Sequence, residues 1–127
     1  MSDSLITEGL IIDDNRQTAD ALHQMLDVLD LQARISYGSS PAMSMLTSFV
    51  PRFICLDINM PGVDGTEVLA FLRREPRLMN VPVIVITSDD QPETRQKVMQ
   101  LGAQAMIIKP ATIDTLEDAL RKAKITA

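Results

Sequence analysis

Acidic side chains stand at the ends of two apolar runs of the sequence. Asp57 directly follows the run Phe53–Leu56, and the adjacent pair Asp13 and Asp14 follows a run that begins at Leu10. A carboxylate is costly to desolvate, so groups that compensate its charge should lie nearby. Three carboxylates that meet in one place would repel one another unless a cation joined them. Hard oxygen ligands with room for water suit Mg²⁺, so these three residues predict a magnesium site.

A hydroxyl group and an ammonium group end two further apolar runs. Thr87 and Ser88 close the fourth run of the chain, and Lys109 closes the fifth. With the metal and the ammonium group in place, Asp57 could act as a nucleophile toward a phosphoryl group. Both cations would then neutralise charge on the phosphoryl oxygens. The residue types therefore indicate phosphoryl-group chemistry on a carboxylate.

These side chains converge only if the apolar runs are strands of one parallel sheet. Three of the runs are rich in Ile, Val and Leu without alternation, as in strands that are covered on both faces. Amphipathic helical patterns lie between the runs. This alternation predicts an α/β domain of the (βα)5 type with a doubly wound, five-stranded parallel sheet, whose ligands bind at the carboxyl ends of the strands. The predicted strands are Leu10–Asp13, Leu31–Tyr37, Phe53–Asp57, Pro82–Thr87 and Ala105–Lys109.

Capping residues predict where several of the helices begin or end. Ser40 before Pro41 fits an N-cap followed by proline at the first helical position. Asp64, with Glu67 three residues later, fits a capping box. Gly102 stands where the fourth helix should stop. These signals agree with the alternation of strands and helices.

Composition excludes several classes of protein. The chain has 127 residues, of which 46% are hydrophobic, so it predicts one globular domain over residues 1–127. A net charge of −5 argues against a nucleic-acid surface. One cysteine excludes a disulfide framework and fits a reducing cytoplasm. The polar N-terminus and the short apolar runs predict neither a signal peptide nor a membrane span.

Four motifs, in order and each at a predicted strand end, resemble one known family. They are "IIDDN" at 11–15, "LDINMPGVDG" at 56–65, "ITS" at 86–88 and "KP" at 109–110. Together they resemble the CheY-like receiver domain of two-component response regulators over essentially the whole chain. The resemblance implies a flavodoxin-like fold with strand order 2-1-3-4-5. It also implies a phosphoprotein of signal transduction, which catalyses only its own phosphorylation and dephosphorylation and is not a turnover enzyme.

By this resemblance, Asp57 is the phosphoacceptor. It would take a phosphoryl group from a phosphohistidine of a sensor histidine kinase or a histidine phosphotransfer protein in a phosphorelay. For the magnesium ion, the resemblance implies that Asp14 binds directly with Asp57. Asp13 would act through water, and the backbone carbonyl of Asn59 would complete the protein ligands.

The remaining implied roles concern the phosphoryl oxygens. Thr87 would donate a hydrogen bond to one of them, and Lys109 would pair with another. The Lys109–Pro110 peptide bond is expected to be cis. Met106 departs from the family pattern, because receivers usually carry Tyr or Phe three residues before the lysine. Phosphorylation would then switch a protein-binding surface. Because Met106 replaces the usual aromatic residue, the resemblance does not say how the signal reaches that surface.

Each site residue also has a plainer interpretation when it is taken alone. Asp13 and Asp14 could be a capped strand-to-helix turn, and Asp57 could be an Asx-type turn former. Thr87 could reflect β-propensity, and Lys109 could be a solvated strand end. The coincidence of all of them at one edge of the sheet favours the functional interpretation.

Two other classes of function share parts of the pattern. Some phosphatases use an aspartyl nucleophile with a second acid two residues later, but this position is Asn59, and 127 residues leave no room for a cap domain. A flavin carrier of the same fold would need aromatic side chains and a phosphate cradle, whereas the chain has no Trp and one Tyr, and its first loop is acidic. A stand-alone receiver and a piece of a longer regulator or hybrid kinase both remain open, and the downstream target is unknown.

Overall fold

Five parallel strands form the main sheet of the protein. The structure is a computed structural model and describes residues 8–126 of the chain. Numbered β1 to β5 in chain order, the strands lie in the spatial order 2-1-3-4-5, as the resemblance implies. Their bounds are β1 (Gly9–Ile12), β2 (Ala33–Ser36), β3 (Ile54–Leu56), β4 (Val83–Thr87) and β5 (Ala105–Ile108).

One helix follows each strand of this sheet. The helices are α1 (Arg16–Val28), α2 (Ser39–Leu46), α3 (Gly65–Arg74), α4 (Pro92–Gln100) and α5 (Ile113–Lys122). None of these helices of the described region has the length and apolar character that a membrane crossing requires. The (βα)5 prediction is confirmed, with strand ends within about two residues of those expected from the sequence.

Successive residues along the strands pack into two separate cores. In β4, Val83 and Val85 pack with residues of α2, α3 and α4, whereas Ile84 and Ile86 pack with residues of α1 and α5. Every residue of β4 is buried. The sheet is therefore covered on both faces, which explains why the strands read as continuous apolar runs.

The beginning of α2 differs from the prediction. The helix starts at Ser39 after Gly38, so Ser40 is not its N-cap. The hydroxyl of Ser36 donates to the carbonyl oxygen of Gly38 at 2.6 Å, which fixes the turn ahead of Ser40. Pro41 then occupies the third helical position, where its missing N–H group costs no helical hydrogen bond.

The beginning of α3 is capped by Asp64, as predicted, but with a different partner. Its Oδ1 atom accepts from the backbone N–H of Thr66 at 2.9 Å, and the hydroxyl of Thr66 binds the same oxygen. The predicted capping box with Glu67 is wrong, because the carboxylate of Asp64 accepts both of these hydrogen bonds from Thr66. A Cβ atom at Gly65 would collide with the Cα atom of Ile58. Glycine at this position therefore lets α3 begin directly against the loop that follows β3.

A short hairpin orders that loop. Segments Asn59–Met60 and Val63–Asp64 pair as antiparallel strands, which the sequence did not predict. Gly62 makes the turn with a φ of 73°, a conformation that glycine adopts without strain. Met60 is buried in the core with residues of α2 and α3. The hairpin fixes the segment that follows Asp57.

Candidate functional site

The carboxyl ends of four strands meet at one edge of the sheet. Asp13 follows β1, Asp57 lies just after β3, Thr87 ends β4 and Lys109 follows β5. Backbone hydrogen bonds hold these ends in line, with Asp57 N 3.0 Å from the oxygen of Ile12 and Lys109 N 2.8 Å from the oxygen of Thr87. The parallel register therefore brings the predicted side chains together.

Three carboxylates cluster in the crevice at this edge. Asp13, Asp14 and Asp57 each offer an oxygen atom, and these atoms lie within 4.8 Å of one another. Asp13 and Asp57 are 1% and 5% exposed, whereas Asp14 is exposed to solvent. Two of the acids are thus fixed in the fold, and the third stands at the mouth of the crevice.

One ammonium group serves both buried acids. The Nζ atom of Lys109 lies 3.1 Å from Oδ2 of Asp13 and 3.2 Å from Oδ2 of Asp57. Burial lowers the pKa of Lys109, but hydrogen bonds and attraction from the two carboxylates outweigh this effect and raise the pKa above its ordinary value. Lysine is therefore held in its charged form beside the acids.

Asp13 and Asp57 are bound in the same way. The Oδ1 atom of Asp13 accepts from the backbone N–H of Asn15, and that of Asp57 accepts from the N–H of Asn59, both at 2.9 Å. In each residue, Oδ2 faces Lys109. Burial raises the pKa of Asp13, and the bonds from Asn15 and Lys109 offset only part of this effect. The Asx-type turn that was the plainer interpretation of Asp57 is present, and it leaves Oδ2 directed toward Lys109 in the crevice.

The hydroxyl of Thr87 is buried and joined to the same loop. Thr87 is 0% exposed, and its Oγ1 atom accepts from Nδ2 of Asn59 at 3.0 Å and from the backbone N–H of Asp89 at 3.2 Å. The sequence interpretation assigned the backbone carbonyl of Asn59 to the metal and expected this residue to border the path of the attacking water, but it did not predict the bond to Thr87. A position two residues after Asp57 that carries an amide was the signal available for it. Ser88 is exposed to solvent.

The side chain of Asp89 points to α4. Its Oδ1 atom accepts from the backbone N–H of Gln91 at 3.0 Å, and its Oδ2 atom accepts from the hydroxyl of Thr94 at 2.7 Å. These bonds lower the pKa of Asp89. Asp89 therefore links the end of β4 to the first turn of α4.

Met106 lies in β5, and Pro110 follows Lys109 beyond the end of that strand. Met106 is buried in the core with α2, α3 and α4, and it pairs in register with Val85 of β4. It lies outside the acidic cluster. The Lys109–Pro110 peptide bond is cis, as the resemblance implies.

The fold and this crevice point to one class of protein, and comparison with known proteins identifies it. Residues 10–121 match the family model of the response regulator receiver domain. The chain therefore belongs to the family of response regulator receiver domains, whose general function is phosphoryl transfer to an aspartate in two-component signalling.

Relatives and solved structures agree with this assignment. An uncharacterized 14.6 kDa protein of Leptolyngbya boryana is 30% identical over 108 residues, which cover 85% of this chain and 81% of that protein. The C4-dicarboxylate transport transcriptional regulatory protein DctD of Pseudomonas aeruginosa is 32% identical over 117 residues. That match covers 92% of this chain but 25% of DctD, so the chain spans a quarter of that regulator.

The backbone similarity is as clear. The crystal structure of the signal receiver domain of a DNA-binding response regulator from Colwellia psychrerythraea matches with a TM-score of 0.85 and 27% sequence identity. The match covers 94% of this chain and 98% of that one. The receiver fold is thus shared over nearly the whole length of both chains.

Proposed function

We propose that Asp57 accepts the phosphoryl group and that this chain acts as a phosphoacceptor receiver. The observation that carries the proposal is the setting of its carboxylate. Asp57 is buried, its Oδ1 atom is held by the N–H of Asn59, and its Oδ2 atom lies beside the ammonium group of Lys109. A carboxylate oriented in this way can present an oxygen to a phosphorus atom in the crevice.

The residues of the crevice fit a divalent magnesium ion. Three carboxylates lie within reach of one ion, and Lys109 supplies one positive charge against their three negative charges. Asp13, Asp14, Asp57 and the backbone carbonyl of Asn59 would hold Mg²⁺, with Asp13 acting through water. When bound, the ion supplies positive charge that offsets the charge of the phosphoryl oxygens.

The chemical step follows from these positions. A carboxylate oxygen of Asp57 attacks the phosphorus atom while the bond from phosphorus to the donor nitrogen of a phosphohistidine breaks. The imidazole leaves with that electron pair, and Asp57 becomes an acyl phosphate. Lys109 and the hydroxyl of Thr87 donate hydrogen bonds to phosphoryl oxygens, as charge-assisted contacts.

The partners follow from the same chemistry. The donor is a sensor histidine kinase or a histidine phosphotransfer protein, and the phosphorylated chain acts through contact with a downstream protein. We place this exchange in the cytoplasm, without direct contact of this domain with nucleic acid or membrane. The site carries out its own phosphorylation and dephosphorylation and does not turn over a substrate as an enzyme does.

A labelling experiment tests the acceptor. With Mg²⁺ and acetyl phosphate, the protein should gain one phosphoryl group that is stable in acid and labile in base, as an acyl phosphate is. Asp57→Asn should lose most of this label, whereas Asp90→Asn, at an exposed acid near the same edge, should keep it. Equal labelling of Asp57→Asn and the unchanged protein would disprove the assignment.

A further inference from the structure

The hydroxyl of Thr87 uses its oxygen atom as an acceptor in both hydrogen bonds that the structure gives it. One donor is Nδ2 of Asn59 at 3.0 Å, and the other is the backbone N–H of Asp89 at 3.2 Å. A hydroxyl group has two acceptor lone pairs and one proton to donate. Because both lone pairs are engaged, the hydroxyl proton remains available for donation to a new partner.

The burial of Thr87 leaves the orientation of its hydroxyl to its protein partners. The residue is 0% exposed, so its hydroxyl is not reoriented by bulk water. A hydroxyl without fixed partners rotates freely and spends part of its time donating to a nearby carbonyl oxygen. A donor whose proton direction is already set by fixed partners loses less orientational freedom when a charged acceptor arrives, even if the side chain itself has to shift toward that acceptor.

We propose that the side-chain amide of Asn59 is a positioning group that orients the Thr87 hydroxyl as a hydrogen-bond donor to the phosphoryl group. This inference rests on the proposed function of Asp57. It gives Asn59 two separate tasks, because its backbone N–H holds Oδ1 of Asp57 at 2.9 Å while its side chain holds Thr87. Nucleophile and donor are therefore set by one residue of the hairpin.

The direction of these hydrogen bonds explains why an amide suits this position. The NH₂ group of Asn59 donates to Thr87. A carboxylate in its place could only accept, and it would then receive the hydrogen bond that Thr87 should donate to the phosphoryl group. Leucine, close in size to asparagine, could neither donate nor accept. Asn59→Leu should therefore leave the Thr87 hydroxyl held by the N–H of Asp89 alone, so that one lone pair is free and the proton can take other directions. The hydrogen bond from the backbone N–H of residue 59 to Oδ1 of Asp57 would be kept.

A double-mutant cycle tests the proposal. The rate constant for phosphorylation by acetyl phosphate at saturating Mg²⁺ is measured for the unchanged protein, Asn59→Leu, Thr87→Val and the double variant. Thr87→Val keeps the shape of the side chain and removes the hydroxyl. We expect Asn59→Leu to slow phosphorylation by about tenfold, the equivalent of one hydrogen bond. In the Thr87→Val background, the same substitution should change the rate less than about twofold, because the group that it acts through is gone.

A third background distinguishes positioning from a general loss of structure. Thr87→Ser retains the hydroxyl, so the tenfold effect of Asn59→Leu should return there. A merely structural role of Asn59 would slow all three backgrounds alike, and that result would overturn the proposal. Failure of the proposed function itself looks different, since the unchanged protein would then carry no label on Asp57.

Discussion

Asp13 and Asp57 bind the same ammonium group, with Nζ of Lys109 3.1 Å from one carboxylate and 3.2 Å from the other. Two buried negative charges therefore share one positive charge, and the exposed carboxylate of Asp14 adds a third negative charge nearby. An excess of buried charge destabilises a fold unless a further cation joins it. The stability of the domain should thus report on the occupancy of its site.

The first prediction concerns Asp13 in the absence of metal. Asp13→Asn removes one charge and keeps an oxygen that can accept from the N–H of Asn15. At pH 7 in EDTA, its thermal unfolding midpoint should exceed that of the unchanged protein by a few degrees, about what 1 kcal/mol produces in a domain of this size. Added Mg²⁺ should stabilise the unchanged protein more than the variant.

The pH dependence of this effect has a definite sign. Burial places the pKa of Asp13 in the folded protein above its ordinary value of 3.8. The folded state therefore holds this proton more tightly than the unfolded state, and the stability that it confers is lost as the pH rises through the raised pKa. The advantage of Asp13→Asn should shrink between pH 7 and pH 4. A variant less stable than the unchanged protein at pH 7 in EDTA would show that attraction to Lys109 outweighs burial.

The second prediction concerns the route of the conformational signal. Thr87 should be drawn toward the phosphoryl group, and the backbone of Asp89, bound to its hydroxyl, should follow. Met106 is flexible enough to fill the vacated space without a sharp change of packing. Thr87→Ala should therefore abolish the phosphorylation-dependent shifts of amide signals over residues 88–91 in NMR spectra, whereas Met106→Leu should leave them largely intact.

The converse result would locate the switch elsewhere. If Met106→Leu removed the amide shifts while Asp57 was still labelled normally, the packing of Met106 would be the element that changes state. Leucine conserves the volume of methionine, so a loss of stability large enough to confuse this comparison is not expected.

The third prediction concerns the anchoring of α4. The N-cap residue of this helix makes no side-chain hydrogen bond, and Val98 is the buried residue of the helix. The bonds from Asp89 to Gln91 and Thr94 take the place of a cap. Asp89→Ala should speed amide exchange in the first turn of α4 by about fivefold, the size of a lost cap, without changing exchange in β4. Asp90→Ala, at the exposed neighbour, is the control, and an equal effect there would remove Asp89 from this role.

The fourth prediction concerns the single thiol. Cys55 lies in β3 and is buried, and burial raises its pKa to about 12. Because the thiolate is the reactive form, alkylation at pH 8 should proceed only when the strand is exposed by unfolding. The labelling rate in rising urea should therefore track the unfolded fraction measured by circular dichroism. Rapid labelling without denaturant would contradict this account.

The fifth prediction concerns the edge of the sheet opposite the site. Arg73 of α3 donates to the carbonyl oxygens of Gly102 and Val81 and to the side chain of Gln104 at 2.8, 2.9 and 3.1 Å. Arg73→Ala would remove the side-chain donor to the two carbonyl oxygens, while Gln104 keeps its bond from the N–H of Val83, and should lower the free energy of unfolding by about 2–3 kcal/mol. Arg74→Ala, on the exposed side of the same helix, should change it by less than about 0.5 kcal/mol. Urea unfolding curves measure both, and similar losses would show that helix propensity, not the hydrogen bonds, decides.

The sequence allowed the strands and most of the site to be predicted because both depend on local pattern. Continuous apolar runs follow from burial on both faces of the sheet, and parallel strands place their carboxyl ends at one edge. Asp13, Asp57, Thr87 and Lys109 all end such runs. Their proximity therefore needed no knowledge of side-chain contacts.

The features that escaped prediction depend on contacts between distant segments. The bond from Asn59 to Thr87 spans 28 positions of the chain and requires the hairpin to fold back toward β4. The start of α2 at Ser39 depends on the hydroxyl of Ser36, which no capping rule includes. From its position two residues after Thr87, Asp89 was expected to border the path of the attacking water, whereas in the folded loop its carboxylate accepts from Gln91 and Thr94 at the start of α4.

The division of the interior into two cores means that the domain can rearrange on one side alone. Ile84 and Val85 are neighbours in the sequence but belong to different cores, and the sheet separates these two cores. Met106 and Val98 share the core of α2, α3 and α4, whereas α1 and α5 pack on the other side. Paired substitutions from opposite cores should therefore be additive in free energy, and evolution can retune one layer of helices while the other keeps its fit.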